Sequence, residues 1–437
     1  MKKIISGIVL LLIHLSGYVY GQGSCPKMFI EAKYKRQYYS EGQELALQYS
    51  LIGLPLKSIT EEDKYPNGND EVFANNIDEL ENRDALPKIY QAIKKNDIIL
   101  LNERHNRPEH RAFLYKLLDS LKILGINSIF LETLAYADDD SAYLSKKSIQ
   151  SLGVYTRENV YNQVCGKLKR LDYKVYSYEI GATGQIDTQR VGQRIYFINK
   201  TDKKWVPLEA DDLILNKFYS IDEFAQREAE QAIHIYQKII RNNIKKAFIY
   251  CGYVHSYKSD NYMAGLLQHL LNKTVYSIDQ IHLDEHSERQ FESPVYTKFA
   301  STNIPFTIVD KRGNIVHSIL HPKLNHKTDS LIDLLVGLPR TIYIHNRPSY
   351  LELDGDRKRY PLSKFIDTKK FKTDFLVTIY EDSVYEKDKI NAVPEDVFQI
   401  ELESKDYDVI LTPNKEYRLF ITKDSQTLIE IIITANE

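Results

Sequence analysis

The stretch from Asn96 to Glu132, NDIILLNERHNRPEHRAFLYKLLDSLKILGINSIFLE, constrains the fold more than any other part of the chain. Ile98 to Leu101 is a short all-apolar run, the pattern of a strand covered on both faces, and it stops abruptly at Asn102, Glu103, Arg104 and His105. Pro108 suits the first turn of a helix, where a missing N–H costs nothing. Phe113, Leu114, Leu117, Leu118, Leu121 and Leu124 then recur at helical spacing, and Gly125 ends the helix before a second apolar run, Ile126 to Leu131, which closes in Glu132. A strand, helix and strand in this order form a right-handed parallel crossover, so Glu103, His105 and Glu132 fall at the carboxyl edge of one sheet, where open α/β folds bind ligands.

The pattern repeats downstream. Ala85 to Lys94 reads as a helix feeding the first strand, Arg157 to Leu171 as a helix, and Tyr173 to Tyr178 as a third strand closed by Glu179. Ile221 to Arg241 keeps Ala225, Ala229, Ala232, Tyr236 and Ile239 on one helical face. Lys246 to Tyr250 is a fourth strand with the corner Cys251-Gly252-Tyr253-Val254-His255, Tyr262 to Leu271 a helix, and Thr274 to Ile278 a fifth strand. The expected class is therefore α/β, a mainly parallel sheet flanked by helices. An acidic loop, Asp138 to Asp140, precedes a helical stretch at Ser141 to Gln150, an irregular helix-like segment follows Ile186, and Thr201 to Asn216 reads as an insertion. Phe306 to Val309 and Ile315 to Ile319 flank a hairpin turn, Asn346 to Ser363 is linker-like, and alternating runs from Phe375 to Thr434 predict a small C-terminal antiparallel β unit. These readings divide the chain into a leader over 1–21, a lead-in over 22–84, an α/β core over 85–345 and the β unit over 364–437.

Lys2, Lys3, the apolar stretch Ile4 to Leu15 and the small residue Gly21 are the parts of a bacterial secretory signal, cut near Gly21. Cys25 lacks the apolar residue that a lipid-anchor site needs three places upstream, and no later segment has the roughly 20 apolar residues of a spanning helix. The expectation is an exported protein, periplasmic or secreted, without a transmembrane segment. Basic and acidic residues number 58 and 60, a formal charge of −2, which argues against nucleic acid as a partner. Three cysteines cannot build a disulfide framework, although one pair could form.

The corner Asn102-Glu103-Arg104-His105 with Asn106 to His110, the strand ending Leu131-Glu132, the helix start Arg227-Glu228 and the corner Gly252-Tyr253-Val254-His255 together resemble the clan of ChaN-like haem-uptake proteins, Tiki/TraB proteases and erythromycin esterases. The run Glu-Arg-His-Asn-Arg-Pro-Glu-His is most similar to the ChaN-like branch, and the resemblance covers roughly Leu86 to Ile281. The family has glycine where this chain has Asn102, a residue that tolerates positive φ. Erythromycin esterases place two residues between the glutamate and the histidine; here only Arg104 intervenes.

The candidate site is Glu103, His105, Glu132 and His255, with Arg227 and Glu179 in support. His105, His255 and Glu103 could hold a divalent metal that activates water for amide or ester hydrolysis. Without metal, a histidine set by a glutamate on its other nitrogen could serve as general base. The ChaN-like resemblance implies a third reading, a non-enzymatic haem or iron binder, which the 32 tyrosines suit. The partner is then a small-molecule or peptide substrate, or haem. Cys251 reads as a small core residue, His282 and His286 beside Asp284 as a solvated turn, and His317, His321 and His326 as solvent-facing.

Overall fold

The computed structural model describes residues 42–64, 72–73, 77–135, 155–179, 188–191, 194–199, 204–207, 223–260, 262–316, 319–321, 326–327, 331–389, 392–401, 406–423 and 426–436. The expected leader, Cys25, the acidic loop, the helix at Ser141 to Gln150 and His317 lie outside these residues. Among the described residues two helices come first, α1 (Gln43–Leu51) and α2 (Pro55–Asp63), where the polar lead-in carried no helical period.

Six strands form one sheet: β1 (Ile98–Glu103), β2 (Ser128–Ala135), β3 (Lys174–Glu179), β4 (Ala247–Gly252), β5 (Val275–Asp279) and β6 (Leu334–Leu335). Their spatial order is β6-β5-β1-β4-β2-β3 and every pairing is parallel. The α/β class is thus observed, and β4 sits between β1 and β2. Alternation of side chains along each strand makes both faces apolar. Ile99, Leu101, Ile129, Leu131, Phe248 and Tyr250 pack on one face with helices α3 (Ala85–Lys95), α4 (Pro108–Ile123) and α5 (Asn159–Arg170). Ile98, Leu100, Phe130, Ala247 and Ile249 pack on the other with α6 (Glu223–Arg241) and α7 (Met263–Leu271).

Local signals account for these ends. Asp84 caps α3 by accepting from Leu86 N at 2.9 Å, Pro108 is the first residue of α4, and Gly125 takes φ 88° so that Ile126 N can reach back to Leu121 O at 3.0 Å. The result is that Glu103, Gly252 and Glu132, on three neighbouring strands, lie at the same edge of the sheet.

Elsewhere the structure corrects the sequence reading. The segment after Ile186 is not helical: Thr188–Val191, Arg194–Asn199 and Lys204–Pro207 form an antiparallel sheet. Phe306–Asp310 pairs with Leu80–Asp84 over five residues, and among the described residues the expected hairpin shows a bridge between Val309 and Ile315. The linker-like stretch is integral, because Leu351 and Leu353 are buried in the main core and Lys358–Pro361 pairs with Asp408–Leu411. The C-terminal antiparallel sheet has four strands, in the order Asp396–Ile400, Phe375–Glu381, Lys415–Lys423, Gln426–Ala435. No helix among the described residues is long and apolar enough to cross a membrane.

Candidate functional site

Glu103 is the last residue of β1, and His105 follows it in the turn that leads to Pro108. His105 Nδ1 lies 2.9 Å from Glu103 Oε1. Arg111, in the first turn of α4, folds back over the corner: its Nε donates to Glu103 Oε2 at 2.9 Å, and its Nη2 donates to Glu103 Oε1 at 3.1 Å and to the His105 carbonyl at 2.7 Å. The third arm of the guanidinium, Nη1, donates to Glu158 Oε2 at 3.2 Å. Glu158 is itself the N-cap of α5, accepting from Val160 N and Tyr161 N. Burial would raise the Glu103 carboxyl, but the Arg111 charge and the His105 contact bring it down to about 2. Facing an ionised carboxylate, Nδ1 of His105 carries a proton, and Nε2 is the nitrogen left to accept one. Tyr155 stacks on the ring at 4.1 Å and Tyr253 meets it edge-on at 5.2 Å, so the imidazole plane is held from two sides.

The second cluster centres on Glu132. Its Oε2 accepts from the Gly252 N–H, while Oε1 lies 3.9 Å from His105 Nε2 and 3.4 Å from His255 Nε2. His255 stands in a single helical turn, Tyr253–Ser256, directly after β4, and its Nδ1 is 2.5 Å from Glu228 Oε1. Glu228 is fully buried on α6, and its other oxygen caps α7 by accepting from Met263 N at 2.7 Å. Burial disfavours a charged imidazole, yet the carboxylates of Glu132 and Glu228 outweigh it and push His255 up to about 10. Arg227 donates to Glu132 Oε1 at 2.7 Å and to Glu179 Oε1 at 3.2 Å, and it also reaches Glu179 Oε2. Its Nη1 is 3.1 Å from His255 Nε2, an approach that is a hydrogen bond only to a neutral ring. With carboxylates at both nitrogens the ring is cationic, and the two positive groups are held together by the shared Glu132 and by Glu179. Burial and these charges leave Glu132 well below the ordinary carboxylate range, burial opposing and His255, His105 and Arg227 prevailing.

Gly252 makes the convergence possible. A Cβ there would stand 2.5 Å from His105 Nε2 and 3.1 Å from Glu132 Oε2. Asn102 is not in the left-handed conformation that its place in the motif suggested. It works as a strand-edge tie instead: Nδ2 donates to Tyr253 O at 2.9 Å and to Asp279 Oδ2 at 2.7 Å, and Oδ1 accepts from Gln280 N.

The six expected site residues, Glu103, His105, Glu132, Glu179, Arg227 and His255, therefore meet in two linked clusters. The three residues expected as metal ligands, His105, His255 and Glu103, are each engaged by other side chains. Among the described residues no set of three or more His, Cys, Asp or Glu side chains stands where it could hold a metal ion. Glu103 is engaged by Arg111 and His105, the Nδ1 of His255 by Glu228, and the oxygen that faces both imidazoles by the Arg227 guanidinium. The residues missed are Arg111, Glu158 and Tyr155, of which Arg111 had a signal, since it falls one helical turn after Pro108 on the side of the chain that faces β1; Glu228 and Gly252 stood in the motif but were given no role. The solvated-turn reading of His282 and His286 is also overturned. His282 Nδ1 is 2.7 Å from Asp279, His286 Nδ1 is 2.6 Å from Asp63, and Asp284 is buried against Arg104. Cys251 and Cys165 are free and buried, and burial raises both thiols, as suits core residues.

No family model and no curated protein matches the sequence. Solved structures that resemble it include ChaN of Campylobacter jejuni, described for cofacial haem binding, at 13% identity and a TM-score of 0.30 over 52% of this chain and 92% of that one. The type III effector HopBA1 is 12% identical with a TM-score of 0.26 over 44% of this chain and 79% of that one. RRSP, a MARTX toxin effector domain from Vibrio vulnificus, is 12% identical with a TM-score of 0.26 over 54% of this chain and 43% of that one. Such likeness is at most a distant relation of fold, and no function follows from it.

Proposed function

We propose that the chain is a hydrolase of ester or amide bonds in a small molecule or peptide, and that His105 is the base that takes a proton from the attacking water. The observation that carries this reading is the Glu103–His105 contact at 2.9 Å, because it orients the ring and leaves Nε2 as the acceptor at the carboxyl edge of the sheet. Glu103 would also stabilise the imidazolium that forms. Arg227, about one-third exposed at 36%, and the charged His255 supply positive charge beside that nitrogen for an oxyanion that develops on the substrate. Glu132 holds the His255 imidazole and the Arg227 guanidinium in mutual register, 3.9 Å from His105 Nε2.

A resident divalent metal does not fit this donor set, since Arg227 holds the carboxylate oxygen that faces both imidazoles. Haem or iron binding is no better supported, since one face of the His105 ring is covered by Tyr155. The test is a panel of chromogenic esters and peptide anilides given to the wild type and to His105→Ala, Glu103→Gln and His255→Gln. His105→Ala should lower kcat by about 10²- to 10⁴-fold. Equal turnover by His105→Ala would overturn the reading, and so would a haem-type visible spectrum that disappears with that substitution.

A further inference from the structure

The side chains of residues 103–111 part to two sides. Glu103, His105 and Arg111 face the site, whereas Arg104, Asn106 and Arg107, which bracket His105, turn away from it and converge on one carboxylate. Arg104 Nη1 donates to Glu62 Oε1 at 2.9 Å, and Asn106 Nδ2 and Arg107 Nε both donate to Glu62 Oε2 at 3.1 Å. Glu62 is buried near the end of α2, and although burial opposes ionisation, Arg104 and Arg107 bring it down to about 2. Ser58, one turn earlier, receives a second bond from Asn106 Nδ2 at 3.2 Å and donates to Ala46 O in α1 at 2.7 Å. The far end of this pair of helices is anchored independently, where Gln399 N donates to Ile52 O at 3.0 Å and Leu51 and Ile52 pack on Leu376 and Val397 of the C-terminal sheet.

We propose that Glu62 is a positioning residue for His105, and that the α1–α2 arm thereby completes a site to which it contributes no group of its own. His105 lies in a turn, where no ladder hydrogen bonds set its backbone. The carboxylate that gathers its neighbours on either side fixes the angle from which the ring meets Glu103 and Gly252. Neutralising the two arginines does not need Glu62 alone, since Asp284 Oδ2 lies 3.2 Å from Arg104 Nε and 3.8 Å from Arg107 Nε. What Glu62 adds is convergence, and that is a geometric role.

The proposal rests on the hydrolase reading only for its kinetic arm. The direct readout is the ring nitrogen spectrum of ¹⁵N-histidine-labelled full-length protein, with the His105 signals assigned by their loss in His105→Gln. The wild type should show one tautomer, protonated at Nδ1. Glu62→Ala should show averaged tautomers with unchanged circular dichroism, and kcat should fall by about 10- to 100-fold with KM within about twofold. Glu62→Gln keeps an acceptor for the donors and should lie in between; it decides the matter if the alanine variant does not fold. Asp63→Asn, on the same helix but bonded to His286 and Ser287, should leave the His105 signals unchanged. An unaltered tautomer in Glu62→Ala, or an equal disturbance in Asp63→Asn, would overturn the proposal. Failure of the hydrolase reading would appear separately, as a wild type without turnover and an intact tautomer response.

Discussion

Replacing Gly252 by alanine tests the packing of the site without presuming its chemistry. The residue has φ −85° and ψ 149°, which any amino acid adopts, so the substitution introduces no backbone strain and its effect is purely steric. The added methyl would stand 2.5 Å from His105 Nε2, whereas ordinary contact begins near 3.4 Å, so the ring would have to retreat by about 0.9 Å. It has little room to do so, because Tyr155 covers one face and Glu103 holds Nδ1. Overpacking of this kind costs about 1–3 kcal/mol, and a misplacement of about 1 Å at a reacting group costs about 100-fold in rate. The assay is a double-mutant cycle by urea denaturation of Gly252→Ala, His105→Ala and the pair. With the ring removed the methyl meets no imidazole, so the pair should be more stable than the two single losses predict by about 1–2 kcal/mol. Additive losses would show that His105 does not press on Gly252 and that its ring is not locked in place.

Further outcomes follow from the same contacts. Glu103→Gln removes the carboxylate that takes two bonds from the buried Arg111 and leaves that guanidinium with Glu158, so stability should fall by about 3–5 kcal/mol in urea titrations. Stability should be greatest between about pH 4.5 and 6.5: His255, raised from 6.5 to about 10, stabilises fully below 6.5 and progressively less as pH climbs through 10, while Glu103, lowered from 4.5 to about 2, stabilises above 4.5 and loses that effect as pH falls through 2. Thermal unfolding across pH should show both limbs, and the alkaline one should vanish in His255→Gln. Arg227→Ala should cost less than about 1 kcal/mol in urea titrations, because the side chain is partly solvated, and a loss of about 3–5 kcal/mol would show that its pairing with Glu132 behaves as a buried one.

The corners were legible because a strand buried on both faces reads as an unbroken apolar run, and its end is marked by the first charged residue. That logic located Glu103, Glu132, Glu179 and the Gly252–His255 turn at one sheet edge, and Pro108 and Gly125 marked the helix between β1 and β2 to the residue or nearly so. Sheet order was not legible, since the position of β4 between β1 and β2 depends on which crossover passes over which strand, and no local pattern records that. The partners of the corner were hidden for a related reason. Glu158 and Glu62 lie 47 and 42 residues from the arginines they hold, and each reads locally as an ordinary helix-end or helix-face acid.

The same limit explains why the histidines could not be sorted by type and spacing. His105, His110, His282 and His286 all sit among carboxylates in the sequence, and all but His105 have settled into the fold's own polar contacts. His110 accepts from Arg104 N at 3.1 Å and faces Asp284 with its other nitrogen, and His282 is bonded to Asp279 on one side and to Tyr257 on the other at 3.0 Å. His286 is tied to Asp63 and is buried. In His105 one nitrogen is fixed by Glu103, while the other faces Glu132 across 3.9 Å, beyond hydrogen-bond reach. An imidazole oriented on one nitrogen and uncommitted on the other is what proton transfer requires, and it is a property of the turn geometry around residues 104–107 that the order of residue types cannot convey.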